Sequence, residues 1–599
     1  MPGMAPAVAN GSSGPAGANA GRAEPPRAAP AADGATYSIR RHFGPGCCVL
    51  LTGATGYVGS LVLEKLLFST DARVICLVRP RRGAAPAARL ATLLGRSPLL
   101  ARVRGPRFAA RAAAVAGDAR LPGLGLSEAD EARLIAEVDT GRADIRLDLP
   151  IQETLETNYR GAERALRLAA RMPRLRAAVH VSTCYANIGA PAGALAGGAE
   201  LDAVGVAEEL LALPPGEADA RARAYVDALG FRNTYAFGKH LAEKAAAALQ
   251  AEARLPLALV RPSLVAAVAR EPCPGYAGAR GARARNYAGL VGAAVAYLLG
   301  LYDDNPAAAA MAGSSVCDVV PGDVVAHAII AAAAAAATPS VAPLPGPPTA
   351  ALQEQAAPAV VPGGAPGGAA LRGGAAAAAP AAAGAGAAPP LGAAPPLLIF
   401  QVASSCTYPL TASALFNEAM LWCAAHRRPW TLATGRARGM DPRQRFDAAA
   451  WRRCMRGAAA KAKAAAWLLR RAGGARLRRG AERLEAALKG VQTMNTDKYD
   501  LRLLFSADRL LALARVLAPE ERAEFSVAWL PPPPPPGAGV GATVPAAAPA
   551  AAAPAAGGGP AAPRYAEVPV WAAARVWPYL TEEQRARGRA LRHAFAPAD

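Results

Sequence analysis

A glycine-rich turn near the start of the chain constrains its fold more than any other sequence feature. The turn reads TGATGYVG and lies between the apolar run Cys48–Thr52 and the helical pattern Gly59–Phe68. A second β-branched run, Arg73–Val78, follows that helix. A strand, a tight glycine turn, a helix and another strand are typical of a parallel sheet with crossover helices. The predicted fold class is therefore α/β, with a doubly wound parallel sheet.

The three glycines of the turn have separate roles in such a fold. Gly53 permits the tight turn, Gly56 lets the backbone approach a pyrophosphate, and Gly59 permits close packing of the helix. The first N–H groups of the helix would bind the anion. A glycine turn without a ligand is the alternative, and the strand and helix on either side weigh against it. The predicted cofactor-binding residues of the turn are Gly53, Thr55, Gly56, Tyr57, Val58 and Gly59.

The end of the second predicted strand indicates which dinucleotide the turn would bind. An NAD-preferring site usually has an acidic residue there, which contacts the ribose 2′-hydroxyl, whereas this chain has Arg79, followed by Arg81 and Arg82. A cation suits a 2′-phosphate, so we expect NADP(H) rather than NAD(H). For Arg81 and Arg82, a solvated basic loop is the alternative.

A second motif, YAFGK, carries a tyrosine and a lysine four residues apart, at Tyr235 and Lys239. This spacing puts the phenol and the ammonium on one face of a helix. The lysine charge lowers the tyrosine pKa, so that the phenol can exchange a proton with a carbonyl oxygen. The motif follows the predicted strand Ala178–Ser182, and the hydroxyls of Ser182 and Thr183 would hydrogen-bond the same oxygen. Such pairs are common by chance, and it is the order of strand, hydroxyls and helix that favours a catalytic pair.

The alternation of strands and helices continues along the chain, except at one place. Between the predicted helices Glu128–Val138 and Pro150–Ala170 a doubly wound sheet needs a strand. The intervening sequence Asp139–Asp148 has no continuous apolar run that could form a buried parallel strand. We therefore predict that this central strand is missing. The other predicted strands are Ala113–Gly117, Ala178–Ser182 and Leu257–Arg261.

The order of these motifs resembles that of a fatty acyl-CoA reductase of the extended short-chain dehydrogenase (Rossmann) superfamily. The resemblance is carried by LTGATGYVGSLVLEKLL, GDARLPGLGLS, LETNYRGAERAL, VHVSTCYANI, YAFGKHLAE, LALVRPSLV and CDVVPGDVV. TDKYDLRLLF and VWPYLTEEQRARGRALR resemble pieces of the helical C-terminal domain of the family. Where the family has an apolar strand ending in a His-x-Ala-Ala-like sequence, this chain has TGRAD. Either a coding segment is missing from the sequence or the activity is impaired.

This resemblance implies reduction of a long-chain acyl-CoA or acyl-carrier thioester, through an aldehyde, to a primary alcohol with two NADPH. Tyr235 and Thr183 would stabilise the oxyanion, and a hemithioacetal would collapse to aldehyde and thiol without an acyl-enzyme. Cys184 is then expected to pack rather than to act as a nucleophile. Asn158 is either a supporting residue or a helix hydrogen-bonding residue, and no metal is expected. The implied site comprises the catalytic residues Tyr235, Lys239, Thr183 and Ser182, and the cofactor contacts Gly53, Gly56, Gly59, Arg79, Asp118 and Lys239.

Stretches of Ala, Gly and Pro divide the chain, because they offer few large apolar side chains to offset the entropy lost on ordering. A reductase domain with its substrate-binding portion precedes a smaller, mostly helical C-terminal domain, and disordered inserts interrupt them. The predicted divisions are a tail at 1–36, an NADP-binding reductase domain at 37–330, an insert at 331–396, the end of the reductase region with the helical domain at 397–529, a linker at 530–565 and a helical piece at 566–599.

The net charge of +21 comes from 66 basic and 45 acidic residues and is poorly focused. A solvated helix face explains the Arg-rich segments, and an anionic cofactor, a thioester or a membrane surface is the alternative. Nucleic acid is disfavoured because no aromatic residues alternate with the basic ones. The nine cysteines include no C-x-x-C pair, so neither a metal site nor a disulfide framework is predicted, and a reducing compartment is expected.

Several functional alternatives stay open at this level. Another extended short-chain dehydrogenase acting on a different carbonyl would share both motifs, and an impaired NADP-binding or membrane-associated scaffold would explain the missing strand. The apolar run Tyr287–Tyr302 is too short to span a membrane and is either part of the acyl-binding surface or a core helix. An intracellular location is expected, at the cytosolic face of a membrane or in a plastid, peroxisome or endoplasmic reticulum. Acyl chain length, the released product and the oligomeric state stay open.

Overall fold

The computed structural model describes the predicted reductase domain and parts of the C-terminal region. Most of the predicted tail and insert, the linker at 530–565, the piece at 566–599 and the run Tyr287–Tyr302 lie outside the described residues. The described residues are 36–81, 83–143, 150–186, 202–231, 233–276, 317–338, 341, 395–405, 448–475, 477–478, 480–482 and 505–527.

Seven parallel strands form the main sheet, in the order β3-β2-β1-β4-β5-β6-β9. The strand order reverses between β1 and β4, and in open parallel sheets this switch point is where dinucleotides bind. The predicted doubly wound α/β fold is therefore confirmed. Two further strands, β7 and β8, pair with each other. The strands are β1 Cys48–Thr52, β2 Arg73–Val78, β3 Ala112–Ala116, β4 Thr140–Ala143, β5 Ala177–Val181, β6 Leu257–Pro262, β7 Leu264–Ala266, β8 Val319–Pro321 and β9 Leu398–Val402.

The strands read as apolar runs because helices cover the sheet on both faces. Every residue of β1 is buried. Val49 and Leu51 belong to one hydrophobic cluster, whereas Cys48 and Leu50 belong to another on the opposite face. β1 and β2 have the predicted bounds, and β3, β5 and β6 differ from theirs by one residue.

The central strand, predicted to be missing, is present as β4. It pairs in parallel with β1 over three residues on one side and with β5 over four residues on the other. The prediction is wrong because a parallel ladder joins backbone N–H and C=O groups and does not require a continuous apolar run. Polar side chains at its start are paired instead: Thr140 Oγ1 lies 3.1 Å from His42 Nε2, and Asp139 Oδ2 accepts the N–H of Cys48 at 2.8 Å. Residues 144–149 of the predicted gap lie outside the described residues.

Thirteen α-helical segments are described, and none is both long and apolar enough to cross a bilayer. The predicted helix Pro150–Ala170 forms from Ile151 to Ala170, with a π-helical stretch at Leu155–Arg160. The α-helices are α1 Ile39–His42, α2 Tyr57–Ser69, α3 Pro86–Arg96, α4 Pro106–Ala109, α5 Glu128–Glu137, α6 Ile151–Thr154, α7 Gly161–Ala170, α8 Ala203–Ala212, α9 Pro215–Ala228, α10 Thr234–Ala253, α11 Gly322–Ala336, α12 Ala448–Arg471 and α13 Asp508–Arg515.

The alanine-rich helix α11 extends past the predicted end of the reductase domain. Residues Ala331–Ala335 are buried in the cluster that covers one face of the sheet. The prediction that an insert begins at residue 331 is therefore wrong for at least six residues, because small side chains here allow close packing between helix and sheet. Leu510 and Leu513 of α13 join the same cluster, so this part of the C-terminal region packs on the reductase core.

A carboxylate in the C-terminal region caps the first helix of the chain. Glu521 is buried and accepts hydrogen bonds from the Ser38 hydroxyl at 2.7 Å and from the N–H groups of Ile39 at 2.7 Å and Arg40 at 3.1 Å. The N–H groups at the start of a helix have no acceptor within the helix. Glu521 supplies that acceptor from 483 residues further along the chain.

We predict that Glu521→Ala lowers the free energy of unfolding by about 2–4 kcal/mol, because it leaves three donors without their charged acceptor. Equilibrium urea denaturation measures the change. Glu520→Ala is the matched control, since Glu520 is exposed, and it should cost no more than about 0.5 kcal/mol. Equal losses in the two variants would contradict the capping role.

Candidate active site

The glycine turn joins β1 to α2 at the carboxyl edge of the sheet. Gly53 has φ +69°, a conformation that favours glycine, and its carbonyl accepts the N–H of Gly56 at 2.8 Å. Gly56 is the N-cap of α2, and no side chain caps this helix end. A Cβ at Gly59 would lie 2.1 Å from the Gly53 oxygen, so only glycine fits there. The turn thus has the geometry that the sequence predicts, with uncapped helix N–H groups able to bind an anion.

The side chains of the turn divide between solvent and core. Thr55 is exposed, whereas Val58 packs against the main cluster. The Tyr57 hydroxyl donates to the carbonyls of Ala266 at 2.9 Å and Tyr276 at 3.0 Å. Contacts of Tyr57 and Val58 with a cofactor would therefore be made by their backbone N–H groups.

Arg79 and Asp118 lie side by side, because they follow the neighbouring strands β2 and β3. Arg79 Nη1 is 3.8 Å from Asp118 Oδ2, and the Arg79 side chain is 36% exposed. Burial opposes ionisation of Asp118, but hydrogen bonds from Arg120 outweigh that effect and hold its pKa below the usual value. Arg79, the predicted contact to the 2′-phosphate, and Asp118, the other predicted cofactor contact, are thus close together. Arg81 is exposed, and Arg82 lies outside the described residues.

These residues fit a dinucleotide bound along the carboxyl edge of the sheet. The uncapped start of α2 follows β1 and offers donors for a pyrophosphate, and Arg79 offers a partly exposed cation at the end of the adjacent strand β2. Because β2, β1 and the strands beyond them are parallel, all these groups face the same edge.

The predicted catalytic pair lies at the start of α10. Asn233 caps this helix by accepting the N–H of Ala236 at 2.8 Å. Tyr235 is therefore in the first turn, where it is 8% exposed, and Lys239 one turn later is fully buried. Lys239 Nζ donates to the carbonyl of Val181, the last residue of β5, at 3.1 Å. The pair is thereby fixed to the sheet edge that carries the glycine turn.

Close helix packing brings the predicted supporting residue to the same region. A Cβ at Gly238 would lie 2.8 Å from Thr154 Cγ2, so the glycine between Tyr235 and Lys239 permits α10 to approach α6. Asn158 is buried in the π-helical stretch that continues from α6 and contacts α10. Its role in catalysis stays a prediction.

The two predicted hydroxyls directly follow β5. Thr183 Oγ1 donates to the carbonyl of Pro262 at 3.2 Å, and it accepts the N–H of Tyr185 at 3.4 Å. Ser182 is buried, and its hydroxyl has no hydrogen-bond partner in the described part of the chain. The Thr183 hydroxyl is thus hydrogen-bonded to the backbone, whereas the Ser182 hydroxyl still has its proton to donate. That both hydroxyls bind the substrate oxygen stays a prediction.

The sequence analysis did not predict the buried ionisable side chains that lie beside Tyr235 and Lys239. Burial, and then the charge of Lys239, lower the pKa of His180 to about 3, so its ring is neutral at physiological pH. Glu243, one turn beyond Lys239, forms an ion pair with Arg261 of β6. Two features of the sequence could have indicated this ion pair. Glu243 lies four residues after Lys239, on the same side of α10, and Arg261 is a charged residue within the apolar strand β6.

Cys184 is fully buried beside Thr183. Its thiol donates to the carbonyl of Arg261 at 2.9 Å. Burial raises its pKa well above the usual value, which disfavours the thiolate that a nucleophile requires. This environment fits the packing role predicted from the sequence.

The fold and the site together define a class of protein. A doubly wound sheet, a glycine turn at its switch point and a Tyr-x-x-x-Lys helix beside a Ser-Thr strand end are the features of an extended short-chain dehydrogenase. Residues 51–329 match the NAD-binding family described as "Male sterility protein". The matched segment is just under half of the chain, and the match indicates a domain for a nicotinamide cofactor.

Curated relatives and solved structures extend the comparison, and the chain spans about half the length of the curated relatives it matches. "Fatty acyl-CoA reductase wat" of Drosophila melanogaster is 31% identical over 244 residues, covering 38% of this chain and 44% of the relative. "Fatty acyl-CoA reductase 1" is 30% identical over 309 residues in Xenopus laevis, covering 48% and 55%, and 31% identical over 307 residues in Homo sapiens, covering 47% and 53%. The reductase domain of a nonribosomal peptide synthetase from Mycobacterium tuberculosis is 19% identical with TM-score 0.40, covering 80% of this chain and 92% of that chain. The terminal R domain from the myxalamid pathway is 26% identical with TM-score 0.33, covering 50% and 62%.

We predict that Gly59→Ala weakens NADPH binding at least about 100-fold, because the new methyl group must displace the backbone of the turn. Fluorescence titration with NADPH measures the affinity. Gly95→Ala in α3 is the matched control, since a Cβ there meets nothing within 4 Å. Unchanged NADPH affinity in Gly59→Ala would show that the turn does not bind the pyrophosphate.

Proposed function

We propose that this chain reduces a long-chain fatty acyl thioester with NADPH, through the aldehyde, to a fatty alcohol. The hydrogen bond from Lys239 to Val181 carries the proposal, because it brings the tyrosine helix to the end of β5 where the two hydroxyls lie. The glycine turn opens at the same edge of the sheet. The curated relatives, named as fatty acyl-CoA reductases, support an acyl thioester as the substrate.

The residues of the site divide the chemistry between them. Bound NADPH would supply the hydride. Tyr235 would donate a proton to the substrate oxygen, and the buried charge of Lys239 would lower the pKa of the phenol for that purpose. Thr183, with Ser182, would hydrogen-bond the oxygen as negative charge develops on it. Because the site is buried around Lys239 and Ser182, these interactions act with little screening by water.

The choice of NADPH over NADH is part of this proposal. Arg79 is partly exposed at the end of β2, where the ribose of a dinucleotide would lie. Its neighbour Asp118 is already hydrogen-bonded by Arg120 at 2.6 Å, so the Arg79 guanidinium is only loosely held at 3.8 Å. A 2′-phosphate would supply a closer anionic partner.

The cellular setting is also part of the proposal. The cysteines in the described residues are unpaired thiols, as expected for a reducing compartment inside the cell. Work at the cytosolic face of a membrane or within an organelle would suit an acyl substrate. Cell fractionation with antibody detection tests this location.

The test of the function is incubation of the purified full chain with palmitoyl-CoA and NADPH. We expect NADPH oxidation and formation of hexadecanol. Tyr235→Phe should lower kcat at least about 100-fold, since it removes the proton donor, and should leave NADPH affinity within about threefold. Tyr225→Phe is the control, because the Tyr225 hydroxyl donates to Glu209 on another helix, at 2.8 Å.

Three other outcomes would contradict the proposal in different ways. Turnover of a cyclic ketone but of no acyl-CoA would indicate a different carbonyl substrate. NADPH binding without oxidation by any acyl-CoA would indicate a scaffold. Equal losses of kcat in Tyr235→Phe and Tyr225→Phe would exclude Tyr235 as the specific proton donor.

Cofactor preference gives a separate prediction. Arg79→Ser should raise KM for NADPH by roughly 10–100-fold, because a charge-assisted hydrogen bond to the 2′-phosphate is lost, and should leave KM for NADH within about twofold. Arg81→Ser is the matched control, since Arg81 is an exposed cation two residues away. Steady-state kinetics with both cofactors measure the ratio, and parallel changes for NADPH and NADH in Arg79→Ser would contradict the assignment.

A further inference from the structure

A solvent-excluded ion pair ties the tyrosine helix to β6. Arg261 Nε donates to Glu243 Oε1 at 2.9 Å, and Arg261 Nη2 donates to Glu243 Oε2 at 2.6 Å. The two side chains are 0% and 2% exposed. This bidentate geometry fixes the orientation of both groups, and charges at such depth are retained only when they are paired.

The carboxylate of this pair belongs to the same helical stripe as the catalytic residues. Tyr235, Lys239 and Glu243 follow one another at four-residue steps along α10. In an α-helix these steps span an arc of about 80° and a length of about 12 Å. Anchoring Glu243 to β6 therefore fixes both the rotation and the height of the stripe that carries the phenol.

The strand that holds Glu243 also holds the hydroxyl side of the site. The carbonyl of Arg261 accepts the thiol of Cys184 at 2.9 Å, and the carbonyl of Pro262 accepts the hydroxyl of Thr183 at 3.2 Å. Consecutive residues of β6 thus contact the helix of the proton donor and the segment of the oxygen ligand. A shift of this strand end would move both parts together.

We propose that Glu243 and Arg261 are positioning residues of the reductase site. They hold Tyr235 in place relative to Thr183, and each cancels the charge that the other would otherwise impose on the phenol. This inference rests on the proposed function for its kinetic consequences, but its electrostatic part concerns the ionisation of Tyr235 alone.

The surrounding charges indicate that both members of the pair act on the site. On the Cys184 thiol and on the neighbouring His240 ring, Glu243 raises the pKa and Arg261 lowers it. The two effects oppose each other, so removal of one partner should leave the other uncancelled. In the described part of the chain, the other titratable and charged groups that interact around the Glu243–Arg261 pair include Lys239, His240 and Lys244 of α10, His180 of β5, Cys184 after β5 and Asp318 before β8.

Single neutralisations are expected to move the ionisation of Tyr235 in opposite directions. Glu243→Gln leaves the Arg261 cation unbalanced, which favours phenolate. The pH midpoint of Tyr235 ionisation should therefore fall by roughly 0.5–1 pH unit. Arg261→Gln leaves the Glu243 anion unbalanced, so the midpoint should rise by a similar amount. The double variant Glu243→Gln/Arg261→Gln should return to the wild-type midpoint, because both charges are gone.

The midpoint is measured as the tyrosinate absorbance difference between each variant and the same variant carrying Tyr235→Phe. Reduction requires the protonated phenol, so the reductase rate, which falls as pH rises through this midpoint, should shift with it. The absorbance measurement needs no substrate, so it tests the pair even if no acyl-CoA is reduced. If the wild-type protein reduces no acyl-CoA, the proposed function is contradicted, but the titration of Tyr235 still tests the role of the ion pair.

A conservative variant separates geometry from charge. Arg261→Lys keeps the cation but loses the bidentate contact, so the midpoint should stay within about 0.2 pH unit while kcat falls at least about fivefold. The matched control is the pair Glu64–Arg102, which has the same bidentate form at 2.8 and 3.1 Å and ties α2 to residues 98–103. Glu64→Gln should lower thermal stability without moving the Tyr235 midpoint.

Two results would overturn the proposal. One is a midpoint of Tyr235 ionisation that moves in the same direction in Glu243→Gln and Arg261→Gln, or that does not move in either variant. A merely structural role predicts lower stability of both variants without opposite shifts of this midpoint. The other is full kcat in Arg261→Lys. Where a single neutralisation prevents folding, the kcat of Arg261→Lys still decides, since this variant leaves no unpaired charge buried.

Discussion

The site depends on the backbone ladder that joins β1 to β5 through the four residues of β4. This ladder sets the glycine turn after β1 and the hydroxyls after β5 at the same edge of the sheet. The hydrogen bond from Lys239 to the last carbonyl of β5 then brings the tyrosine helix to that edge. Without β4 the glycine turn and the catalytic pair would not be held at a fixed distance from each other, because no other described strand lies between β1 and β5.

Charge around the buried site is balanced rather than absent. His180 stays neutral beside Lys239, so it adds no second cation to the one that would act on Tyr235. One turn further along α10, Glu243 is matched by Arg261. At the open end of the site Arg79 remains partly exposed and only loosely held by Asp118. A buried unpaired charge is energetically costly, whereas a solvated one is not. This difference explains why Arg79, the loosely paired cation, lies at the surface where an anionic ligand could reach it.

The sequence predicted the parts of the molecule that depend on local spacing. The glycine turn, the four-residue step from Tyr235 to Lys239 and most strand bounds follow from short-range patterns, and the structure has them. The strand β4 was missed because its pairing is made by the backbone. The polar side chains of Thr140 and of the preceding Asp139 find partners on distant segments. The buried end of α11 was missed because alanine-rich composition is shared by inserts and by closely packed helices. Ion pairs such as Glu243–Arg261 join residues whose proximity only the fold reveals.

The C-terminal region contributes to the site through a chain of polar contacts. Glu521 caps α1 by accepting the N–H groups of Ile39 and Arg40. At the other end of this short helix His42 is hydrogen-bonded to Thr140, the first residue of β4. The central strand, short and poor in apolar side chains, is therefore held on one side by a helix that the C-terminal segment fixes in place. This connection gives the C-terminal segment a structural role in the reductase domain that its distance along the chain does not suggest.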